Sequence, residues 1–308
     1  MQIRDGQKRG IKGMKTVTIV VCYLKGTARI METWLSSVAR HSKDTEYKVV
    51  ILTKSGHAEE LKDLVLSYDS VRIVEVDLPD NPRVSSRIHG KMIDEFIPRN
   101  VDSEFVITMD SDSFPIADGW IRDMVGILDG GYRVTGILHP WAPPTDDMDK
   151  KLLEWRVRSQ HCWNNTHVAC QMIRTADVWE LGVKYGEGDD TGLLIPQKAR
   201  ERGWEIKGFK VTRCPKPLVG GLDPEFNRYV CLVFGDKVYH HGGFSRTKAG
   251  GDKQMFEGEF RWVEERILKE NGAEFLLNDD LSYQFKFDRE EEVSKEKMTR
   301  LFGLSTRR

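Results

Sequence analysis

Apolar, strand-like segments and amphipathic, helix-like segments alternate along the first 125 residues, and this alternation leaves the chain few possible folds. β-branched and apolar residues predict buried strands at TVTIVVCY (16–23), YKVVILTKSG (47–56), SVRIVEVDLP (70–79) and EFVITMDSDSF (104–114). Between them, METWLSSVARH, HAEELKDLVLSY and VSSRIHGKMIDEFIP have helical spacing, and Pro98 is predicted just past the end of the third helix. Regular alternation predicts βαβ units and a parallel sheet.

The pattern is less regular after residue 130, which predicts a mixed second half. YRVTGILHPWAPP, EIKGFKVTRCP and DKVYHHGG are predicted strands, and THVACQMIRTADVWEL is a predicted strand followed by a short helix. A further helix is predicted after GDDTGLL, and another up to Gly272. We predict an N-terminal extension (1–14), one α/β domain (15–248, with halves 15–125 and 126–248) and a mainly helical C-terminal extension (249–308).

Composition excludes several classes of protein. The net charge is −1, so no basic excess points to a nucleic-acid partner. Five cysteines, an odd number without a CxxC pair, argue against a disulfide framework and a zinc site. No apolar run approaches the ~20 residues of a membrane span, and the N-terminus lacks the apolar core of a secretory signal. The sequence therefore predicts a cytoplasmic protein without a transmembrane segment.

Two carboxylates, Asp110 and Asp112, directly follow the fourth predicted strand. Ligands of open α/β sheets bind at the carboxyl ends of the strands, where this pair falls. Two aspartates one residue apart can share a divalent cation, and hard oxygen ligands suit Mg²⁺ or Mn²⁺. The alternative is a structural one, in which both residues serve as turn or N-cap residues before the next helix.

Three other groups of polar residues fall near predicted element ends. GEGDDTG contains Glu187, Asp189 and Asp190, whose mutual repulsion favours the raised pKa of a general base, although helix capping also explains it. His240 and His241 end a predicted strand before two glycines, where an imidazole completes a metal site or lies at the surface. Arg87, His89 and Lys91 begin a predicted helix, a place that attracts phosphate.

The order MDSDS, then GEGDDTG, then YHHGGFS on an α/β sheet resembles the GT-A-fold glycosyltransferases, and most of all the family 2 type. The resemblance covers about residues 16–246. It implies that Asp112 is a direct metal ligand and that Asp110 contacts the metal or the nucleotide ribose, with Ser111 between them. It further implies His240 as a metal ligand with His241 in reserve, and Asp190, next to Asp189, as the catalytic base.

Two departures from the family pattern concern the donor and the base. ILTKSG has no aspartate at the end of the second strand, where family 2 enzymes read uracil, so UDP- and GDP-sugars both remain candidate donors. The usual E-D of the third motif is D-D here. Retaining transferases on the same fold also combine D-x-D with a C-terminal histidine, which leaves a retaining reaction as an alternative.

The resemblance implies transfer of a hexose-type sugar from a nucleotide sugar to an acceptor hydroxyl, with inversion and with Mn²⁺ or Mg²⁺. Tyr23 at the end of the first strand is a candidate contact for the nucleotide base. The candidate contacts for a glycan, lipid-linked or small-molecule acceptor are His139, Trp141, Trp163 and Asn164, whereas Trp155 and Trp179 are predicted in the core. A phosphatase of the HAD type, which also places D-x-D after a strand, is the alternative from another class.

Overall fold

The computed structural model describes residues 16–78, 86–138, 165–187, 191–213 and 231–241, with positions 257, 260, 261, 263–265 and 267 of a helical segment. The helices are α1 (Ala28–His41), α2 (Lys62–Val65, after a 3₁₀ turn at Ala58–Leu61), α3 (Ser86–Asn100), α4 (Trp120–Asp129), α5 (Thr175–Leu181) and α6 (Leu194–Glu201). The strands are β1 (Val17–Cys22), β2 (Tyr47–Lys54), β3 (Val71–Val76), β4 (Phe105–Met109), β5 (Ser113–Pro115), β6 (Val134–Leu138), β7 (Thr166–Arg174), β8 (Val211–Arg213), β9 (Cys231–Phe234) and β10 (Val238–His241).

A six-stranded sheet in the order β3-β2-β1-β4-β7-β6 forms the centre of the fold. β1, β2, β3 and β4 pair in parallel, and β7 pairs antiparallel with both β4 and β6. The α/β prediction of a mixed, mostly parallel sheet flanked by helices is therefore confirmed. The parallel strands bring the carboxyl ends of β1 and β4 side by side, since Val21 pairs with Met109.

Successive residues of the parallel strands enter two different hydrophobic cores. Ile19 belongs to the core under α1 and α4, and Val20 belongs to the core under α3, α5 and α6. Side chains of a strand alternate between its two faces, so a strand that is apolar throughout must be covered on both sides. Burial of both strand faces explains the apolar runs of the predicted strands.

A second sheet, in the order β5-β10-β9-β8, is antiparallel throughout. The predicted fourth strand is divided between the two sheets, because the chain turns after Met109 and Ser113 begins β5 in the second sheet. β9 was not predicted. Gly235 and Asp236, both with positive φ (57° and 53°), form the tight turn that joins β9 to β10.

Two predicted helix boundaries were wrong. Pro98 lies inside α3, which ends at Asn100, because a proline in the last turn removes only one of the helix's final hydrogen bonds. The Asn100 side chain donates a hydrogen bond to the Phe96 carbonyl at 3.1 Å, which supports this turn. The helix predicted over residues 57–68 is reduced to a 3₁₀ turn and the four residues of α2.

The helical segment between positions 257 and 267 packs against α1. Phe260, Val263 and Ile267 are buried in the same core as α1. The Arg29 guanidinium lies 4.3 Å from the centre of the Phe260 ring, and Arg40 donates a hydrogen bond to the Ile267 carbonyl at 3.1 Å. This part of the predicted C-terminal extension therefore completes the core of the α/β domain.

Candidate functional site

Asp110, Ser111 and Asp112 form the turn between β4 and β5, at the carboxyl edge of the parallel strands. The Asp110 amide donates a hydrogen bond to the Ala169 carbonyl at 3.2 Å, and the Ser113 amide donates to the Asp110 carbonyl at 3.0 Å. The backbone is thus fixed on both sides of the carboxylates. Ser111 is half-buried between them.

His240 reaches this turn because β10 pairs with β5. In that pairing His240 lies opposite Ser113, and the His241 amide donates a hydrogen bond to the Asp112 carbonyl at 2.9 Å. The His240 Nε2 atom is 3.7 Å from Asp112 Oδ1. Asp110, Asp112 and His240 each offer one ligand atom, and these atoms all lie within 4.8 Å of one another. We call these three residues the Asp-Asp-His cluster.

The Asp-Asp-His cluster fits a divalent cation. Asp110 Oδ1 is buried and accepts no hydrogen bond from any residue that the structure describes, and Asp112 is only 6% exposed. A buried carboxylate oxygen without a donor is costly unless a cation or a hydrogen bond offsets the loss of water. Two carboxylates and one imidazole form a mixed oxygen and nitrogen ligand set, and the carboxylates suit hard divalent cations such as Mn²⁺ and Mg²⁺.

His241 lies apart from the cluster. Successive side chains of a strand point to opposite faces, so His240 and His241 cannot both reach the carboxylates from β10. His241 is buried, and its Nδ1 lies 2.6 Å from the hydroxyl of the buried Tyr239. The structure thus gives His241 a position in the core and not the reserve metal-ligand role predicted for it.

The start of α3 brings a second imidazole to the cluster. His89 Nδ1 is 3.6 Å from Asp110 Oδ1, so this predicted phosphate-binding residue lies directly beside a predicted metal ligand. Lys91 is exposed on the same helix. The side chain of Arg87 lies outside the described residues.

Tyr23 is packed into the core, with 5% of its surface exposed. Its hydroxyl donates a hydrogen bond to the Glu60 carboxylate, which also accepts from the Gly26 amide at 2.7 Å. Burial raises the pKa of this hydroxyl, and the hydrogen bond to Glu60 raises it further. A ring held in this way is a poor platform for a nucleotide base, contrary to prediction. A cavity of about 430 Å³ opens next to it instead, lined by residues 26–30 with Glu60 and Glu257.

His167 is a neighbour of the cluster that the sequence did not reveal. Its ring centre lies 5.8 Å from that of His240, and its Nδ1 accepts a hydrogen bond from the Ala169 amide at 3.1 Å. An imidazole that accepts at Nδ1 carries its proton on Nε2 when neutral. His167 lies within an otherwise apolar predicted strand, and no local signal distinguishes it from a surface histidine.

Two thiols, those of the half-buried Cys22 and the buried Cys170, flank the same turn. Burial raises the pKa of Cys22 and of Cys170, and the negative charge of Asp110 adds to both shifts. Both thiols are free, and both stay protonated at neutral pH. They belong to the apolar surroundings of Asp110.

The predicted catalytic acids and acceptor contacts lie largely where the structure describes no residues. Asp189 and Asp190 fall outside the described residues, as do His139, Trp141, Trp163 and Asn164. Glu187, the last described residue before the two aspartates, is exposed.

Trp179 is 49% exposed, so its predicted place in the core was wrong. Helix α5 has only seven residues, and it turns Val178 and Leu181, not Trp179, toward the sheet. Trp155 lies outside the described residues.

Compared with models of known protein families and with curated protein sequences, the chain matches none of them. Its interpretation therefore depends on its own residues and geometry. Within the part of the chain that the structure describes, no helix combines the length and the apolar character that a membrane crossing requires.

Proposed function

We propose that this chain is a metal-dependent glycosyltransferase that moves a sugar from a nucleotide-sugar donor to an acceptor hydroxyl, with inversion and with Asp190 as the base. The observation that carries the proposal is the convergence of Asp110, Asp112 and His240 at the carboxyl edge of a mostly parallel sheet. The sequence resemblance assigns metal-binding roles to these same three residues. We propose that the mixed, mostly parallel sheet is of the GT-A type.

In the proposed mechanism Asp110, Asp112 and His240 would hold Mn²⁺ or Mg²⁺. The cation would offset the negative charge that grows on the leaving diphosphate as the glycosidic bond breaks. His89 lies 3.6 Å from Asp110, close enough to the cluster to donate a hydrogen bond to a phosphate oxygen held there. The exposed Lys91 is the second candidate for such a contact.

We assign the nucleoside part of the donor to the cavity at the start of α1. Its volume of about 430 Å³ is within the range of small-molecule sites. It opens after β1, and β1 and β4 are neighbours whose carboxyl ends lie at the same edge as the cluster. Asp190 would then remove the proton of the acceptor hydroxyl as it attacks the anomeric carbon from the opposite side. Determining the anomer of the product separates this inverting mechanism from a retaining one.

His240 favours the transferase over the phosphatase alternative. The phosphatase interpretation uses acidic motifs, which supply only oxygen ligands to Mg²⁺. A histidine whose Nε2 is 3.7 Å from Asp112 Oδ1 has no role in that scheme, whereas the transferase resemblance assigns it one.

Thermal unfolding with metal and nucleotides tests the proposal. The wild-type protein, Asp112→Asn and Asp102→Asn are heated with and without 1 mM Mn²⁺ and a panel of nucleoside diphosphates and their sugars. Asp102 is a matched control, because it is an exposed carboxylate that precedes β4, at the end of that strand away from the Asp-Asp-His cluster. It pairs only loosely with Lys48, at 3.4 Å. Ligand at about 100 times its Kd stabilises the native state by about 2.7 kcal/mol.

We expect metal-dependent stabilisation by one nucleoside diphosphate, which names the base, in the wild type and in Asp102→Asn. Asp112→Asn should lose that stabilisation. Release of the nucleoside diphosphate from the matching nucleotide sugar then measures turnover. Equal stabilisation of Asp112→Asn, or no stabilisation of the wild type by any metal and nucleotide pair, would contradict the proposal.

A further inference from the structure

His167 lies on β7, the strand that also holds the backbone of Asp110. The Ala169 amide donates a hydrogen bond to His167 Nδ1 at 3.1 Å, and the Ala169 carbonyl accepts one from the Asp110 amide at 3.2 Å. Ala169 has no exposed surface, so bulk water does not compete for either bond. One buried residue therefore fixes both the ring of His167 and the backbone of a predicted metal ligand.

The hydrogen bond at Nδ1 determines what the other ring nitrogen of His167 can do. A nitrogen that accepts a hydrogen bond carries no proton, so the neutral ring has its proton on Nε2. Nε2 is then a donor and has no lone pair to offer to a cation. The two nitrogens point in different directions, so Nε2 does not face the Ala169 amide. His167 is thus suited to donate a hydrogen bond and not to bind a metal.

The ring of His167 lies next to the Asp-Asp-His cluster. Its centre is 5.8 Å from that of His240, and the two ring planes are tilted by 38°. The His240 Nε2 atom lies 3.7 Å from Asp112 Oδ1, so a cation in the cluster would take the lone pair of that atom and leave the proton of His240 on Nδ1. Two N–H groups cannot form a hydrogen bond with each other. With a cation present, His167 can therefore donate to an oxygen atom near the cluster but not to the ring of His240.

An anion held at the cluster would supply such an oxygen. Divalent cations of this kind keep coordination positions for other oxygen ligands, and phosphate groups are the usual ones. Hydrogen bonds to an ionised acceptor are the stronger kind, and the low local dielectric beside the buried Thr166 and Val168 strengthens them further. His89 Nδ1 is 3.6 Å from Asp110 Oδ1, so imidazoles lie next to two different members of the cluster.

We propose that His167 is an anion-binding residue, whose Nε2 donates a hydrogen bond to a phosphate oxygen of a diphosphate held at the Asp-Asp-His cluster. This inference rests on the cation site of the proposed function. It assigns the diphosphate a contact from β7, in addition to those from α3.

Binding of inorganic pyrophosphate tests this role without the nucleoside or the sugar. Isothermal titration gives the Kd of Mn²⁺ alone and then the Kd of pyrophosphate at saturating Mn²⁺, with a titration without protein as the blank. His167→Ala removes the donor, and the amide of His167→Gln keeps an N–H donor. Asp112→Asn is the reference for a lost metal ligand. His41→Gln is the matched control, because His41 is a half-buried histidine at the last residue of α1, beside Asp118. Thermal unfolding without ligand shows whether each variant is folded.

We expect His167→Ala to weaken pyrophosphate binding about 10- to 100-fold, because a hydrogen bond to a charged acceptor has effects of this size. Its affinity for Mn²⁺ alone should stay within about 3-fold of the wild type, since a protonated Nε2 is not a metal ligand. His167→Gln should bind pyrophosphate more tightly than His167→Ala does. Asp112→Asn should lose Mn²⁺ binding, and His41→Gln should match the wild type for both ligands.

Equal pyrophosphate affinity in His167→Ala and the wild type would refute the anion contact and leave the proposed function standing. Loss of Mn²⁺ binding in His167→Ala, of the size seen in Asp112→Asn, would make His167 a metal ligand instead. If both His167 variants unfold at a lower temperature and bind Mn²⁺ and pyrophosphate more weakly by the same factor, the role of His167 is only structural. A wild type that does not bind Mn²⁺ would overturn the proposed function and the inference together. A wild type that binds both ligands but transfers no sugar would overturn the proposed function alone.

Discussion

The contact between Phe260 and helix α1 gives a stability prediction that the structure makes quantitative. Phe260 is 1% exposed and lies in the same core as α1. Truncating a fully buried phenylalanine to alanine removes its packing and leaves a cavity, which costs about 3–5 kcal/mol. At about 2–4 °C per kcal/mol for a large domain, Phe260→Ala should lower the unfolding temperature by roughly 10 °C.

An exposed neighbour provides the control for this prediction. Glu257 pairs with Arg29 at 3.0 Å, but both side chains are more than half exposed, and exposed ion pairs contribute about 0–1 kcal/mol. Urea denaturation of the wild type, Phe260→Ala and Glu257→Gln measures the three unfolding free energies. A loss below about 1 kcal/mol for Phe260→Ala, or equal losses for both variants, would refute the assignment of this segment to the core.

Two further predictions concern the backbone and pH. Gly136→Ala should destabilise the protein by about 2 kcal/mol or more in urea denaturation, because Gly136 has a φ of +148° and a Cβ atom would lie 2.1 Å from the Cys170 carbonyl oxygen. Gly203→Ala, with a φ of +73° but open space around it, should cost only about 1 kcal/mol, and similar losses for the two would contradict this account. Burial lowers the pKa of His41, so the unfolded chain takes up its proton first, and stability is lost as pH falls below the unfolded value of about 6.5. The urea midpoint should therefore drop less between pH 7.5 and 5.5 in His41→Gln than in the wild type, and equal drops would rule out a contribution from His41.

Local patterns were enough to predict the central sheet. The runs that became β1, β4 and the centre of β2 are mostly apolar and buried because both faces of the sheet are covered, and neighbouring residues show this pattern directly. The place of Asp110 and Asp112 at the carboxyl edge follows from the same pattern, because the apolar run ends at that point. Where the pattern was weak, as over residues 57–68, the predicted helix was too long.

The sequence did not predict which distant segments pair with one another. Which of His240 and His241 meets the carboxylates depends on the register of β10 against β5, since a shift of one residue would exchange the two side chains. The proximity of His167 to His240 depends on how β7 and β10 come together. The residues next to a histidine in a strand do not indicate either contact.

The sequence did not reveal the contact between Asp94 on α3 and the Tyr185 amide for a similar reason. Asp94 and Tyr185 are 91 residues apart, and Asp94 looks like any polar residue of an amphipathic helix. The sequence by itself determined most of the strands, most of the helices and the edge at which the carboxylates lie, because burial and helical spacing are properties of neighbouring residues. Only the tertiary structure decided which histidine joins Asp110 and Asp112 and which carboxylate binds the Tyr185 and Gly186 amides, because those contacts arise when distant strands and helices pack together.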